Sequence, residues 1–374
     1  MSLPPLRRAR VLVVDDAATV RTLVADVLSR QPGIEVVGVA ASGRIALAKI
    51  QATPPDLVTL DFEMPEMDGL AALAAIRELD PTLPVIMLSA HTERGAVVTV
   101  EALASGARDY VTKPTGHASR EEAERYLVEN LVPKVLALAR RHTAMPRPPD
   151  GVETRGAAAR LPHQMRRDRV EVVAIGASTG GPAALTTILR ALPADLRVPL
   201  VIVQHMPPAF TRLFAERLSA ESPIPIQEAN PGGALWPGRG WLAAGGRHLV
   251  VERSGCFAQA LATDGLPENS CKPSVDVLFR SVAELFGRHA LAVVLTGMGR
   301  DGVAGCERIK TFGGTVIVQD QATSVVWGMP GLVAQAGLAD EILPLESLAD
   351  AICARARGSR PDAGVLGADG AGAV

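Results

Sequence analysis

The chain has 374 residues, 48% hydrophobic and 21% charged, enough for two or three globular domains. Its net charge of −2 argues against a protein that binds nucleic acid as a whole, because phosphate binding needs a basic surface. The four cysteines form no Cys-x-x-Cys pair, so neither a disulfide framework nor a zinc site is expected. The apolar start, Val11–Val14, is too short for a signal peptide, and no apolar run is long enough to span a bilayer. The expectation is a cytoplasmic protein without membrane insertion.

In the first third, apolar runs alternate with helical patterns. Strands are expected at 10–14, 35–39, 57–60, 85–88 and 109–111. Helices are expected at 19–29, 45–50, 69–78, 93–105 and from about 120. Such alternation predicts a doubly wound parallel sheet of the α/β class, with its ligand site beyond the carboxyl ends of the strands. Those ends carry Asp15 and Asp16, Asp61, Ser89 and Lys113. Three carboxylates at one edge repel unless a cation joins them, and oxygen-only ligands suggest a hydrated Mg²⁺ site. With the metal and a lysine neutralising charge, an aspartate can accept a phosphoryl group.

These residues resemble the receiver domain of two-component response regulators. The resemblance lies in Val13-Val-Asp-Asp16, Leu60-Asp-Phe-Glu-Met-Pro65, Met67-Asp-Gly69, Ser89-Ala90 and Thr112-Lys-Pro114. It implies a flavodoxin-like domain over 8–128 with Asp61 as phosphoacceptor. It further implies Mg²⁺ on Asp16 and Asp61 with Asp15 nearby, phosphoryl contacts from Ser89 and Lys113, and Tyr110 as switch aromatic. A histidine kinase would be the phosphodonor.

From 140 to 169 periodicity is lost, and eight arginines face three acidic residues. The segment 129–167 is expected to be a basic linker.

Strand–turn–helix units resume over 168–357. Val172-Val-Ala-Ile-Gly-Ala-Ser-Thr-Gly-Gly-Pro182 reads as a strand, a glycine-framed turn holding Ser178, and a helix start. Such a turn exposes a hydroxyl above backbone N–H groups. A strand at 199–204 ends in His205, and another at 290–296 opens into Gly297-Met-Gly-Arg-Asp-Gly302. Ser178, His205 and Asp301 therefore follow three strand ends, where a nucleophile, a base and an orienting carboxylate can converge. Alone, Asp301 reads equally as a helix cap. Gly297-x-Gly-x-x-Gly302, with Asp320 at the next strand end, also fits a dinucleotide-binding fingerprint. A non-catalytic module that binds a partner is a further alternative.

The second domain resembles the catalytic domain of chemotaxis-type protein-glutamate methylesterases. The matching segments are Ile175–Pro182, Gln204-His-Met-Pro-Pro208, Lys272-Pro-Ser-Val-Asp-Val-Leu-Phe279, Leu295–Gly302 and Val325-Val-Trp-Gly-Met-Pro330. The resemblance implies a Rossmann-like hydrolase domain with Ser178, His205 and Asp301 as triad. Thr179 would help hold the histidine, and Met298 N–H would donate to the oxyanion. The substrates implied are glutamyl methyl esters on cytoplasmic domains of methyl-accepting chemoreceptors, with deamidation of glutamines as a second activity and no cofactor for hydrolysis. The Ala/Gly-rich tail, 358–374, is expected to be disordered.

Overall fold

The computed structural model describes residues 7–90, 92–114, 118–144 and 170–357. The first domain alternates β1 (Ala9–Val14), α1 (Ala18–Ser29), β2 (Ile34–Ala40), α2 (Gly43–Ala52), β3 (Leu57–Asp61), α3 (Gly69–Leu79), β4 (Val85–Ser89), α4 (Glu93–Ala104), β5 (Asp109–Thr112) and α5 (Arg120–Asn130). Its parallel sheet has the order β2-β1-β3-β4-β5. The strand order reverses between β1 and β3, which puts a crevice at the ends that carry Asp15 and Asp61.

A further helix, α6 (Val132–Ala144), follows directly. Residues 129–144, which the sequence reading gave to the linker, are thus largely helical. Leu131, Val132, Val135, Leu138 and Ala139 are buried in one core cluster with Val11, Val13 and Leu57. Pro133 hides this helix in the sequence, but a proline in the first turn removes no helical hydrogen bond. The rest of the expected linker and the tail after 357 lie outside the described residues.

The second domain contains β6 (Val172–Ala177), α7 (Gly181–Ala191), β7 (Leu200–Gln204), α8 (Pro208–Glu221), β8 (Ile226–Ala229), β9 (Gly232–Ala234), β10 (Gly240–Ala243), β11 (His248–Ser254) and β12 (Phe257–Thr263). It continues with α9 (Val275–Phe286), β13 (Ala290–Val294), α10 (Val303–Thr311), β14 (Thr315–Gln319), α11 (Met329–Gln335), β15 (Glu341–Leu343) and α12 (Leu345–Ala356). Seven strands form one parallel sheet, β15-β14-β13-β6-β7-β10-β8. Every residue of β6, β7 and β13 is buried, as expected of a parallel sheet covered on both faces. From β6 the chain builds outward to β7 and beyond, then returns to β13 on the other side. The crevice at this reversal lies between the ends of β6 and β13. A small antiparallel sheet, β11-β12-β9, completes the domain.

The two domains share buried surface. Helix α4 packs on α7 and α8, and one core cluster joins Val100, Leu103 and Tyr110 to Phe210 and Phe214.

Candidate active site

Ser178 follows β6 at the reversal point. Its backbone is held on three sides: its N–H donates to Thr296 O (3.1 Å), and its carbonyl accepts from Gly181 N (2.8 Å) and Gln204 Nε2 (2.9 Å). Gly180 has φ +76°, a left-handed conformation that glycine adopts without strain and that turns the chain into α7. Gly297 lets the β13 loop close on the serine, since a Cβ there would come within 2.8 Å of Ser178 Cβ.

His205 follows β7, and its Nε2 lies 2.8 Å from Asp301 Oδ2. The imidazole is 14% exposed and the carboxylate 2%. Asp301 is anchored heavily. It accepts from Val275 N (2.7 Å), Asp276 N (3.0 Å), Ser274 Oγ (2.8 Å) and Asn269 Nδ2 (3.3 Å). The first-turn amides of α9 thus point at the carboxylate, and a helix N-terminus favours negative charge. Burial opposes ionisation of Asp301, yet His205 and these amides overcome it and hold its pKa at about 2. Burial likewise opposes the imidazolium, but Asp301 and Cys271 outweigh it and lift His205 to about 9. The resting pair at neutral pH is an ion pair.

Asp276 mirrors this arrangement. Its Oδ1 accepts from Gly302 N (2.9 Å) and Gly305 N (2.6 Å) at the start of α10. Each of the two helices is therefore capped by an aspartate at or just before the start of the other. The helix start after Gly297-x-Gly-x-x-Gly302 is filled by this carboxylate, where a dinucleotide would need room for its pyrophosphate. Asp320 Oδ1 is likewise taken by Thr323 N and Oγ1. These contacts leave the dinucleotide fingerprint without its ligand groups.

Ser178, Thr179, His205 and Met298 line one cleft of about 550 Å³ with Asn269, Cys271 and Lys272. Among the described residues no hydrogen bond joins Ser178 Oγ to His205. The other ring nitrogen, Nδ1, instead lies 3.6 Å from Cys271 Sγ. Nor does the Thr179 hydroxyl bond the imidazole among the described residues; the Thr179 carbonyl accepts from Thr296 Oγ1 (2.9 Å). Catalytic hydrogen bonds are often long before substrate binds, and Ser178 and His205 line the same cleft. Gln204 was given no role from sequence, yet its Nε2 ties the carbonyls of Ser178 (2.9 Å) and His205 (3.1 Å) together. His248, buried behind the site, accepts from Ser274 N through Nδ1 (3.2 Å) and serves to place that turn.

The receiver walls the same cleft with Tyr110, Thr112, Tyr126, Asn130 and Lys134. Tyr110 lies 4.7 Å, ring to ring, from Phe210 of α8, and Lys134 of α6 donates to the Tyr110 carbonyl (2.9 Å). At the receiver's own crevice, Lys113 Nζ lies 2.7 Å from Asp61 Oδ2 and 3.2 Å from Asp15 Oδ2. Burial, joined by the charge of Asp15, raises Asp61 to about 6 despite Lys113. Carboxylate oxygens of Asp15, Asp16 and Asp61 lie within 4.8 Å of one another. An all-oxygen set short of positive charge fits a hard divalent cation. The Ser89 hydroxyl meets the Thr99 hydroxyl (2.7 Å) and the Gly95 carbonyl (3.2 Å), and no hydrogen bond joins it to Asp61 among the described residues.

Comparison with known proteins agrees with this division. A model described as CheB methylesterase matches residues 173–352, and one for the response regulator receiver domain matches 11–123. A protein-glutamate methylesterase/protein-glutamine glutaminase of Trichodesmium erythraeum is 50% identical over 92% of this chain and 98% of its own. One from a Nocardioides species is 47% identical over 94% and 96%. The crystal structure of the Thermotoga maritima CheB methylesterase catalytic domain covers 50% of this chain and 98% of its own at 38% identity, with a TM-score of 0.49. With relatives this similar along nearly its whole length, the chain belongs to the protein-glutamate methylesterase/protein-glutamine glutaminase family, an enzyme domain carried behind a response-regulator receiver.

Proposed function

We propose that Ser178, His205 and Asp301 hydrolyse glutamyl γ-methyl esters on chemoreceptor cytoplasmic domains through an acyl-enzyme. The observation that carries this reading is the part-buried His205–Asp301 contact of 2.8 Å, beside the cleft that the glycine-framed Ser178 lines. Asp301 holds the Nε2 proton and leaves Nδ1 to take the proton of Ser178 Oγ. The oxygen attacks the ester carbonyl, and the Met298 N–H donates to the oxyanion that forms. His205 returns the proton to the leaving oxygen, methanol departs, and water cleaves the acyl-enzyme to give glutamate. The same acyl-enzyme forms from a glutamine side chain with release of ammonia.

The receiver is the control. It walls the cleft through Tyr110 and Lys134, so a contact between domains limits access. Phosphorylation of Asp61, from a histidine kinase, places a new dianion beside Lys113 and biases that contact toward opening. Mg²⁺ on Asp15, Asp16 and Asp61 would neutralise charge around the transferred phosphoryl group.

The test is methanol release from methylated receptor, with and without a small-molecule phosphodonor. Wild type is expected to be stimulated, Asp61→Ala to keep a low activity that phosphodonor does not raise, and Ser178→Ala to lose activity by on the order of 10⁶-fold. Strong stimulation of Asp61→Ala would remove the switch from that residue; full activity of Ser178→Ala would remove the nucleophile.

A further inference from the structure

Cys271 is presented to the catalytic histidine by a built turn. Glu268 and Cys271 pair through both backbone hydrogen bonds (3.1 and 2.8 Å), and the two residues between them, Asn269 and Ser270, have φ of +50° and +61°. Neither is glycine, so this left-handed pair is held by its surroundings. The anchor is Asn269, whose side-chain nitrogen donates to Asp276 (2.8 Å) and Asp301 (3.3 Å). The turn sets Cys271 Sγ 3.6 Å from His205 Nδ1. Among the described residues no other cysteine is bonded to a histidine.

Zinc binds thiolate sulfur at about 2.3 Å and imidazole nitrogen at about 2.0–2.1 Å, so a tetrahedral angle sets the two donors about 3.5 Å apart. The observed separation of 3.6 Å matches this distance. The other ring nitrogen is held by a buried carboxylate, the arrangement that orients a metal-binding histidine and raises its basicity. His205 and Cys271 both line the cleft.

We propose that Cys271 Sγ and His205 Nδ1 form a second cation site, for Zn²⁺ or another thiophilic divalent ion, which switches the enzyme off by occupying the lone pair of the base. The switching half of this proposal rests on His205 being the base; the binding half does not. Binding forms one metal–sulfur and one metal–nitrogen bond and releases the thiol proton and the Nδ1 proton to solvent, so affinity rises with pH. The receiver's carboxylates offer only oxygen, so an ion held there gives no sulfur-to-metal band.

The experiment titrates the full chain with Co²⁺, a spectroscopic substitute for Zn²⁺, in excess Mg²⁺. The wild-type protein and Cys256→Ser, which alters an exposed thiol elsewhere, are expected to develop a thiolate-to-cobalt charge-transfer band in the near ultraviolet. Cys271→Ser and Cys271→Ala, checked for fold by circular dichroism, are expected to lose it. In parallel, Zn²⁺ is expected to suppress ester hydrolysis reversibly by EDTA, and Cys271→Ser to raise the half-inhibiting concentration by on the order of 10-fold or more. No band in wild type, or a band that survives in both Cys271 variants, overturns the site. A band without inhibition overturns the switch alone, and a band with no hydrolysis in any sample rejects the proposed esterase reaction and leaves the site standing.

Discussion

Asp301 shows how one residue sets the chemistry of another. Its ionised state is fixed by α9, and through it His205 is held as a cation at neutral pH. Two opposite pH trends follow. The pKa of His205 rises from 6.5 to about 9 on folding, so its contribution to stability is complete below 6.5 and is lost as pH climbs through 9. Asp301, lowered from 3.8 to about 2, contributes above 3.8 and loses this only as pH falls through 2. A base must be neutral to act, so kcat/KM of the phosphorylated enzyme should rise toward pH 9 while the melting temperature falls. Cys271→Ala should move the rate limb to lower pH, because Cys271 helps raise the histidine. A flat rate profile across this range would count against His205 as the base. The strand-end residues were legible because each follows an apolar run and a glycine or a charge marks the turn. Asn269 and Cys271 were not: asparagine favours the left-handed region but the serine after it does not, and the pair is held by Asp276 and Asp301 from elsewhere in the chain.

At the level of elements, α9 and α10 are locked by exchange of carboxylates, with Asp301 on the amides of α9 and Asp276 on those of α10. Asp276→Ala removes two cap bonds and should cost ~2 kcal/mol in a urea melt. It should also lower hydrolysis, because residues 297–302 lose the tether that holds Met298 and Asp301 in place. An unchanged melt would show that the loop is held by β13 and Val275 alone. Most long elements of the two parallel sheets were readable from apolar runs alternating with helical spacing. Several of those missed are short or carry mixed patterns: β9 is Gly-Gly-Ala, β8 has four residues, and β12 has one buried position among seven. Such strands are specified by their partners in the sheet, which composition does not reveal. The helix α6 was hidden by Pro133 and by the arginines that follow its apolar stripe.

For the whole molecule, the proposed regulation rests on a contact that is apolar at its centre. Tyr110 meets Phe210, while Leu103 and Val100 lie against the α7–α8 face that also carries Phe214. Tyr110→Ala should raise the activity of the unphosphorylated chain by roughly 10-fold, the factor given by ~1.4 kcal/mol of lost aromatic contact. Methanol release without phosphodonor checks this; a variant no faster than wild type would place the restraint elsewhere, for example at Lys134. The resemblance implies a receiver that covers the active site, but the partners in this contact were not readable, since either helix face reads simply as half of its own domain's core.

The shared cluster of Val100, Leu103, Phe210 and Phe214 has a thermodynamic signature of its own. If activation separates the domains, these side chains meet water, and hydrated apolar area raises heat capacity. A calorimeter should then find the phosphorylated form with the larger heat capacity at unchanged helix content. The switch would also become harder to open on warming through the range in which apolar hydration grows costlier, making the enzyme's resting silence a function of temperature.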